Sequence, residues 1–428
     1  MSFDYTAHNL PYWRRNLAVA VVGSFATALN LSMLLPFLPL YVRELGAETP
    51  AAVMQWSGLA FGATFLGVAV TAPVWGRLAD RYGRKAMLVR AALGMAIVMP
   101  LVGLARSVEQ LVALRLAAGL VGGYASAATV MIGTQAPRER AGWALGVLSS
   151  GALAGNLLGP LVGGFLPAWL GLRGSLLAGG GVIGVTAIAT IVLVRERFEP
   201  AEGSGRTPAA STTPRAGDAA RMSMLFVTAA MVLVANMSIE PVITLYVGQL
   251  GAAPGRLTQI AGGVMAASAF GSVLTAPLLG RLADRYGASK VVVGCLTATA
   301  LVMLPQALVR WWWELAVLRI AMGMSLAGLL PAITKQVRLA APGGGSGRLL
   351  GYLQSAQFSG QVAGPLIGAW IGAHWGMRQV FVATSLLLLL CALVHGLARR
   401  HLKLELDRTL VPAGSPVGEG VADPAPRK

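Results

Sequence analysis

The chain has 428 residues, of which 55% are hydrophobic, only 12% are charged and 54 are glycine. A soluble domain carries about 25% charged residues, so this composition excludes a chain built mainly of soluble domains and points to an integral membrane protein whose helices pack closely. The 34 Lys plus Arg against 17 Asp plus Glu leave a net charge of +17, which would suggest a nucleic-acid partner only if the basic residues formed one exposed patch.

A bilayer core about 30 Å thick takes roughly 20 apolar residues per helix. On that measure twelve spans are predicted. The first six run near 15–41, 52–75, 86–105, 109–133, 141–167 and 173–195. The second six run near 222–248, 257–279, 289–309, 313–335, 347–372 and 377–398. The first span is too long for the apolar stretch of a cleaved signal and lacks a small-residue cleavage site, so Arg14 and Arg15 read as its anchor. Residues 1–195 and 222–400 are therefore expected to form two six-helix bundles. Between them, 196–221 is rich in Pro, Ser, Thr, Gly and Ala and reads as a flexible linker, and 401–428 reads as a tail.

The basic residues follow this topology. With the N-terminus inside, each external loop holds one: Arg43, Arg106, Arg173, Arg256, Arg310 and Arg378. Arg90, Arg115 and Arg319 fall within helices, and the other 25 of the 34 lie on the inner side. That bias is the positive-inside pattern of a multi-pass protein with both termini cytoplasmic, and it needs no polyanion.

TAPVWGRLADRYG at 71–83 recurs as TAPLLGRLADRYG at 275–287, with eleven of thirteen positions identical. Three more blocks follow at the same spacing. LVALRLAAG (111–119) matches LAVLRIAMG (315–323), GNLLGPLVGG (155–164) matches GQVAGPLIGA (360–369), and LPFLPLYVREL (35–45) matches EPVITLYVGQL (240–250). The two halves are a tandem duplication, as in transporters whose bundles face each other across one path.

GRLADRYGRK at 76–85 resembles the signature loop of the major facilitator superfamily. LVALRLAAGLVGG at 111–123 is similar to the fourth-helix motif of its proton-coupled members. GALAGNLLGPLVGG at 151–164 is similar to the fifth-helix motif of its drug:proton antiporter branch. The resemblance covers roughly residues 12–400. It implies an all-α membrane fold of twelve helices in two bundles, and export of small apolar or amphipathic compounds coupled to proton movement. It also implies action as a monomer in a bacterial cytoplasmic membrane, with no cofactor and with protons, small molecules and lipid as partners.

Several residues then become candidates. Gly76 and Gly83 would permit a sharp turn, and the resemblance places a gating latch on Asp80, Arg81 and Arg84, with Asp80 pairing an Arg or a helix N-terminus. In the second copy Asp284 and Arg285 persist while Ala288 replaces Arg84, which predicts a weaker latch. Plain retention of the loop inside is the alternative. Arg115 and its repeat partner Arg319 are charges within spans, expensive enough to need a reason, either proton transfer, an anionic ligand or a structural hydrogen bond. Glu240 is an acid well inside the seventh span, followed by Pro241. Low dielectric favours the neutral form of an isolated carboxyl, so Glu240 is a candidate for proton coupling, with Arg115 and Asp80 beside it. Drug:proton antiporters often carry an acid in the first helix, whereas this chain has Thr27, Asn30 and Ser32 there.

Gly151, Gly155, Gly159 and Gly163 fall on one helix face and let another backbone approach, with Pro160 bending the helix. The expectation is that this face meets the second half and seals the outer side, mirrored by Gly364, Pro365 and Gly368. Candidate cavity groups are Asn30, Tyr124, Asn236, Glu240, Arg319, Gln357 and Gln361, each able instead to bridge helices. Cys295 and Cys391 read as apolar helix residues, neither a disulfide nor a metal site. No nucleotide-binding loop or metal cluster is apparent, so an enzyme or primary pump is not expected. Alternatives to an exporter are a carrier of one metabolite, such as a sugar or organic anion, and a non-transporting membrane sensor.

Overall fold

The computed structural model describes residues 12–137, 139–196, 216–340 and 346–410; the side chains at 80, 216–220, 346–347 and 399–410 lie outside that description. Among the described residues every regular element is helical. The first half comprises α1 (Trp13–Met33), α2 (Leu38–Glu44), α3 (Pro50–Tyr82), α4 (Arg84–Gly103), α5 (Val108–Val121), α6 (Tyr124–Gln135), α7 (Ala141–Phe165) and α8 (Pro167–Leu193). The second comprises α9 (Ala216–Gln249), α10 (Leu257–Tyr286), α11 (Ala288–Gln306), α12 (Trp312–Leu326), α13 (Leu329–Leu339), α14 (Ser346–Trp375) and α15 (Met377–Leu410). α9 and α15 extend beyond the spans expected for them, into 196–221 and 401–428.

Eleven helical stretches are long and apolar enough to cross a membrane. The twelfth crossing is α14, which has the length, 30 residues, but carries Gln354, Gln357 and Gln361 along it. Hydropathy alone therefore under-reads it. Its packing along α9 and α3 makes it part of the same assembly.

Local chemistry sets the ends. Thr49 Oγ1 accepts from the Ala52 amide at the start of α3, where Pro50 supplies a preset φ. Ser107 does the same for α5 through Gln110. Positive φ angles at Gly83 (89°) and Gly287 (92°) end α3 and α10, conformations that strain any residue with a Cβ. Gly76 does not turn the chain: it lies inside α3, like Gly280 inside α10, and a Cβ at either would meet nothing within 4 Å. RLADRY is a good helical sequence, so the helix runs on to the next glycine.

The fourth span is broken rather than continuous. α5 stops at Val121, Gly122 is extended, Gly123 adopts φ 106°, and α6 then begins. The tenth span is interrupted more mildly between Leu326 and Leu329, where Ala327 and Gly328 both keep right-handed helical backbone. A break in a membrane helix strands carbonyls that lipid cannot satisfy. In the first half, Trp75 Nε1 donates to the Leu120 carbonyl at 2.8 Å and Arg90 Nη1 to the Val121 carbonyl at 2.9 Å, with the guanidinium 3.6 Å from the Trp75 ring centroid. In the second half hydroxyls reach the corresponding carbonyls: Thr275 Oγ1 bonds that of Met324 (2.8 Å), and Ser272 Oγ that of Gly323 (2.9 Å), which also accepts from the Ala327 amide (3.2 Å).

Crossing helices alternate in direction, so the turns at Gly83 and Gly287 share one end with the start of α1. This basic end carries Arg77, Arg81, Arg84, Lys85, Arg281, Arg285 and Lys290. The two bundles touch at the far end. Thr244 Oγ1 donates to the Pro36 carbonyl across the seam at 3.0 Å. Gly262 faces the Pro160 carbonyl, Gly164 faces Thr258 and Gln259, Gly58 faces Pro365 and Ala369, and Gly62 faces Val362 and Leu366. Towards the basic end the same seam helices lose these neighbours, for Gly142, Gly146 and Gly351 also face nothing within 4 Å. The structure is closed at the far end and open at the basic end.

Candidate functional site

The glycine face of α7 meets a different partner from the one expected. A Cβ at Gly151, Gly155, Gly159 or Gly163 would crowd Val21, Phe25, Leu29 with Ser32, and Met33 in turn, all on α1 of the same bundle. The contact with the second bundle is made one side over, by Pro160 and Gly164. The mirrored element repeats this division: Gly360, Gly364 and Gly368 press on α9, while Pro365 meets Gly58 of α3. A small-residue stripe signals close approach but not which neighbour approaches.

α9 presents Asn236, Glu240 and Thr244 at intervals of four residues, hence on one face. Thr244 bonds the Pro36 carbonyl between α1 and α2, so this face is turned towards the first bundle. Asn236 is half-buried there. Glu240 is 9% exposed and is not isolated: Arg319 Nη2 of α12 lies 3.2 Å from its Oε1, although 79 residues separate them in the chain. Arg319 is 1% exposed and also donates from Nη1 to Met322 Sδ at 3.4 Å. Glu240 Oε2 and Arg319 Nε have no partner among the described residues. Pro241 lacks the N–H that would bond the Met237 carbonyl, one turn earlier, and α9 continues across it. A buried, incompletely bonded ion pair thus links α9 to α12 within the second bundle.

The repeat places Arg115 where Arg319 stands, and Leu35 where Glu240 stands. Leu35 packs against the apolar core of the second bundle. Arg115 is fully buried, its three side-chain nitrogens have no partner among the described residues, and its guanidinium carbon lies 5.8 Å from the Phe61 ring centroid. Among the described residues the duplicated cation therefore has a counter-charge in one half only.

The remaining expected residues are dispersed. Asn30 is buried against Gly179 of α8, with both amide atoms unpaired, and Tyr124 bonds Thr190 Oγ1 at 3.0 Å beside Gly23. Both lie inside the first bundle rather than between bundles. Gln357 and Gln361 are half-buried on α14. The side chain of Asp80 lies outside the described residues. Arg81 is exposed over the Tyr82 ring, as Arg285 is over Tyr286. Asp284 pairs with Lys335 of α13 at 2.6 Å, an exposed contact within one bundle. Sequence reasoning missed three contributors. Glu196 accepts from the backbone amides of Arg84 (3.0 Å) and Lys85 (2.7 Å), so a carboxylate caps the start of α4. Trp75 and Arg90 support the α5–α6 break; the only hint was a charge at 90 inside a span.

A family model described as Major Facilitator Superfamily matches the chain over residues 20–264 and 225–419. Multidrug resistance protein MdtG of Citrobacter koseri is 42% identical over 373 residues, covering 87% of this chain and 92% of that protein. MdtG of Enterobacter lignolyticus is 40% identical over 389 residues, covering 91% and 93%. Among solved structures, a bacterial homologue of the human lysosomal transporter Spinster, inward-facing and unoccupied, superposes with a TM-score of 0.71 at 16% identity, covering 91% of this chain and 98% of that one. The nucleoside transporter NupG gives 0.72 at 12% identity, covering 91% and 99%. Two duplicated six-span bundles, the paired GRLADRYG turns and these matches make one conclusion: the chain is a multi-pass membrane protein of the Major Facilitator Superfamily.

Proposed function

We propose that this chain exports small apolar or amphipathic compounds across a bacterial cytoplasmic membrane in exchange for protons, acting as a monomer by alternating access. The similarity to proteins named for multidrug resistance supports the cargo class. The positive-inside bias supports a cytoplasmic position for the basic end, so the open side faces the cytoplasm, where cargo is collected. The Glu240–Arg319 pair carries the coupling. Ionised Glu240 neutralises Arg319 and ties α9 to α12. A proton arriving at the unbonded Oε2 cancels the carboxylate charge, loosens the tie and lets the face holding Asn236, Glu240 and Thr244 move against the first bundle. Release of that proton on the other side resets the pair. At 100 mV, one charge crossing contributes about 2.3 kcal/mol.

In this reading Arg115 assists coupling from the first bundle, Asp80, Arg81 and Arg84 form a latch at the basic end when the far end opens, and Asn236, Gln357 and Gln361 contact cargo. Flux in proteoliposomes under an imposed pH gradient, across a panel of unrelated compounds, tests it. Glu240→Gln is expected to abolish pH-driven export with membrane insertion intact; unchanged export and pH dependence would reject the assignment. One observation favours a second reading. Arg115 is a buried cation without a counter-charge among the described residues, which suits a carrier of a single organic anion. Movement of one anion alone from the panel, lost in Arg115→Gln, would favour that reading.

A further inference from the structure

At the basic end, α1 and α7 leave a groove of about 750 Å³, whose walls include Trp13, Arg14, Leu17, Val21, Arg140 and Trp143. That volume lies within the range of small-molecule sites, about 300–1,000 Å³. Its floor is apolar and open: Trp143 is 61% exposed and Val22 beside it 60%. Its rim is cationic. Arg14 and Arg140 are exposed, and the Arg14 guanidinium lies 5.7 Å from the Trp13 ring centroid. The ion pairs among the described residues are Arg173–Glu44, Arg319–Glu240 and Lys335–Asp284, so neither rim arginine pairs with a described acid, adjacent Glu139 included.

Position decides the occupant. Trp13 and Arg14 open α1 and Arg140 directly precedes α7, so the rim sits where helices leave the bilayer and where tryptophans collect. A basic pocket between helices at that depth matches an anionic lipid headgroup, and the apolar floor below it matches a chain. We propose that the groove holds an anionic phospholipid of the adjoining leaflet, with its phosphate between Arg14 and Arg140 and the upper part of one acyl chain along Leu17, Val21 and Val147. A zwitterionic lipid offers the same phosphate, but its ammonium group opposes the two arginines. A water-borne anion has nothing to place on the floor. The site is independent of what the protein carries.

Native mass spectrometry of the full chain, released from vesicles of mixed phosphatidylglycerol and phosphatidylethanolamine, tests the site. The wild type is expected to retain phosphatidylglycerol in preference. Arg14→Gln with Arg140→Gln is expected to weaken that retention roughly 25-fold, about fivefold for each arginine near an anionic headgroup. Each single variant should lose about fivefold on the same basis, which covers a double variant that fails to fold. Arg43→Gln with Arg106→Gln, at the far end, should behave as wild type. Equal retention of both lipids by the wild type, or undiminished phosphatidylglycerol retention in the Arg14 and Arg140 variants, would overturn the proposal. Displacement of the lipid by inorganic phosphate would overturn it too, because the site would then read a soluble anion.

Discussion

Among the described residues, Glu240→Gln removes the one counter-charge of a guanidinium that is 1% exposed and 3.2 Å from the carboxylate. Taking one partner from a buried ion pair costs about 3–5 kcal/mol, whereas replacing both by neutral groups of similar size is often nearly neutral. Because the Glu240 side chain is 10% exposed and the interior opens at the basic end, the lower edge applies, about 3 kcal/mol. Arg319→Met should cost less, since a stranded carboxyl can protonate whereas a guanidinium keeps its charge. The double variant should lie within about 1 kcal/mol of wild type, giving a coupling energy of at least about 2 kcal/mol, larger by whatever Arg319→Met alone costs. Reversible unfolding of the four proteins in bicelles measures that cycle, and pH-driven flux of the same four in proteoliposomes measures the consequence. Additive single effects, with coupling below about 0.5 kcal/mol, alongside wild-type pH dependence in Glu240→Gln, would refute both the pairing and its role.

Gly163→Ala and Gly368→Ala place a Cβ against the carbonyls of Met33 and Ser238 and should cost about 1–3 kcal/mol. Gly76→Ala and Gly280→Ala, in open space within helices, should be stabilising by about 0.5–1 kcal/mol, and thermal melts in detergent separate the two classes. A Cβ at Gly62 lies 3.5 Å from Leu366 Cγ, so Gly62→Cys with Leu366→Cys should oxidise to a crosslink that holds the far end shut; flux should stop and return on reduction. Arg90→Ala strands the Val121 carbonyl and should cost about 1–3 kcal/mol. Arg90→Lys should recover only part of that stability, because an ammonium cannot stack flat on Trp75; the same melts check both.

The architecture was legible because repetition is a strong signal: one thirteen-residue block copied at a fixed offset locates two bundles before any helix is drawn. Hydropathy located the spans but not their interruptions. Glycine is so frequent that Gly122–Gly123 does not stand out from the glycines that merely pack. The α7 stripe points to a close neighbour without naming it, and that neighbour is α1 rather than the second bundle, since four-residue spacing encodes a face and not its partner. Glu240 and Arg319 were each conspicuous as charges in apolar helices. Their union was not, because it depends on the long Arg319 side chain reaching from α12 to α9, between segments far apart in the chain. Asn30 and Tyr124 were misplaced for the related reason that a polar residue in a span faces protein, and protein lies on more than one side.

The two interrupted spans are held by unlike fastenings. On one side a rigid indole and a charged planar group grip the loose strand of backbone; on the other, two rotatable hydroxyls do. A hydroxyl re-aims by a bond rotation, while a stacked plane must slide as a block. The duplicated lobes therefore cannot flex as mirror images.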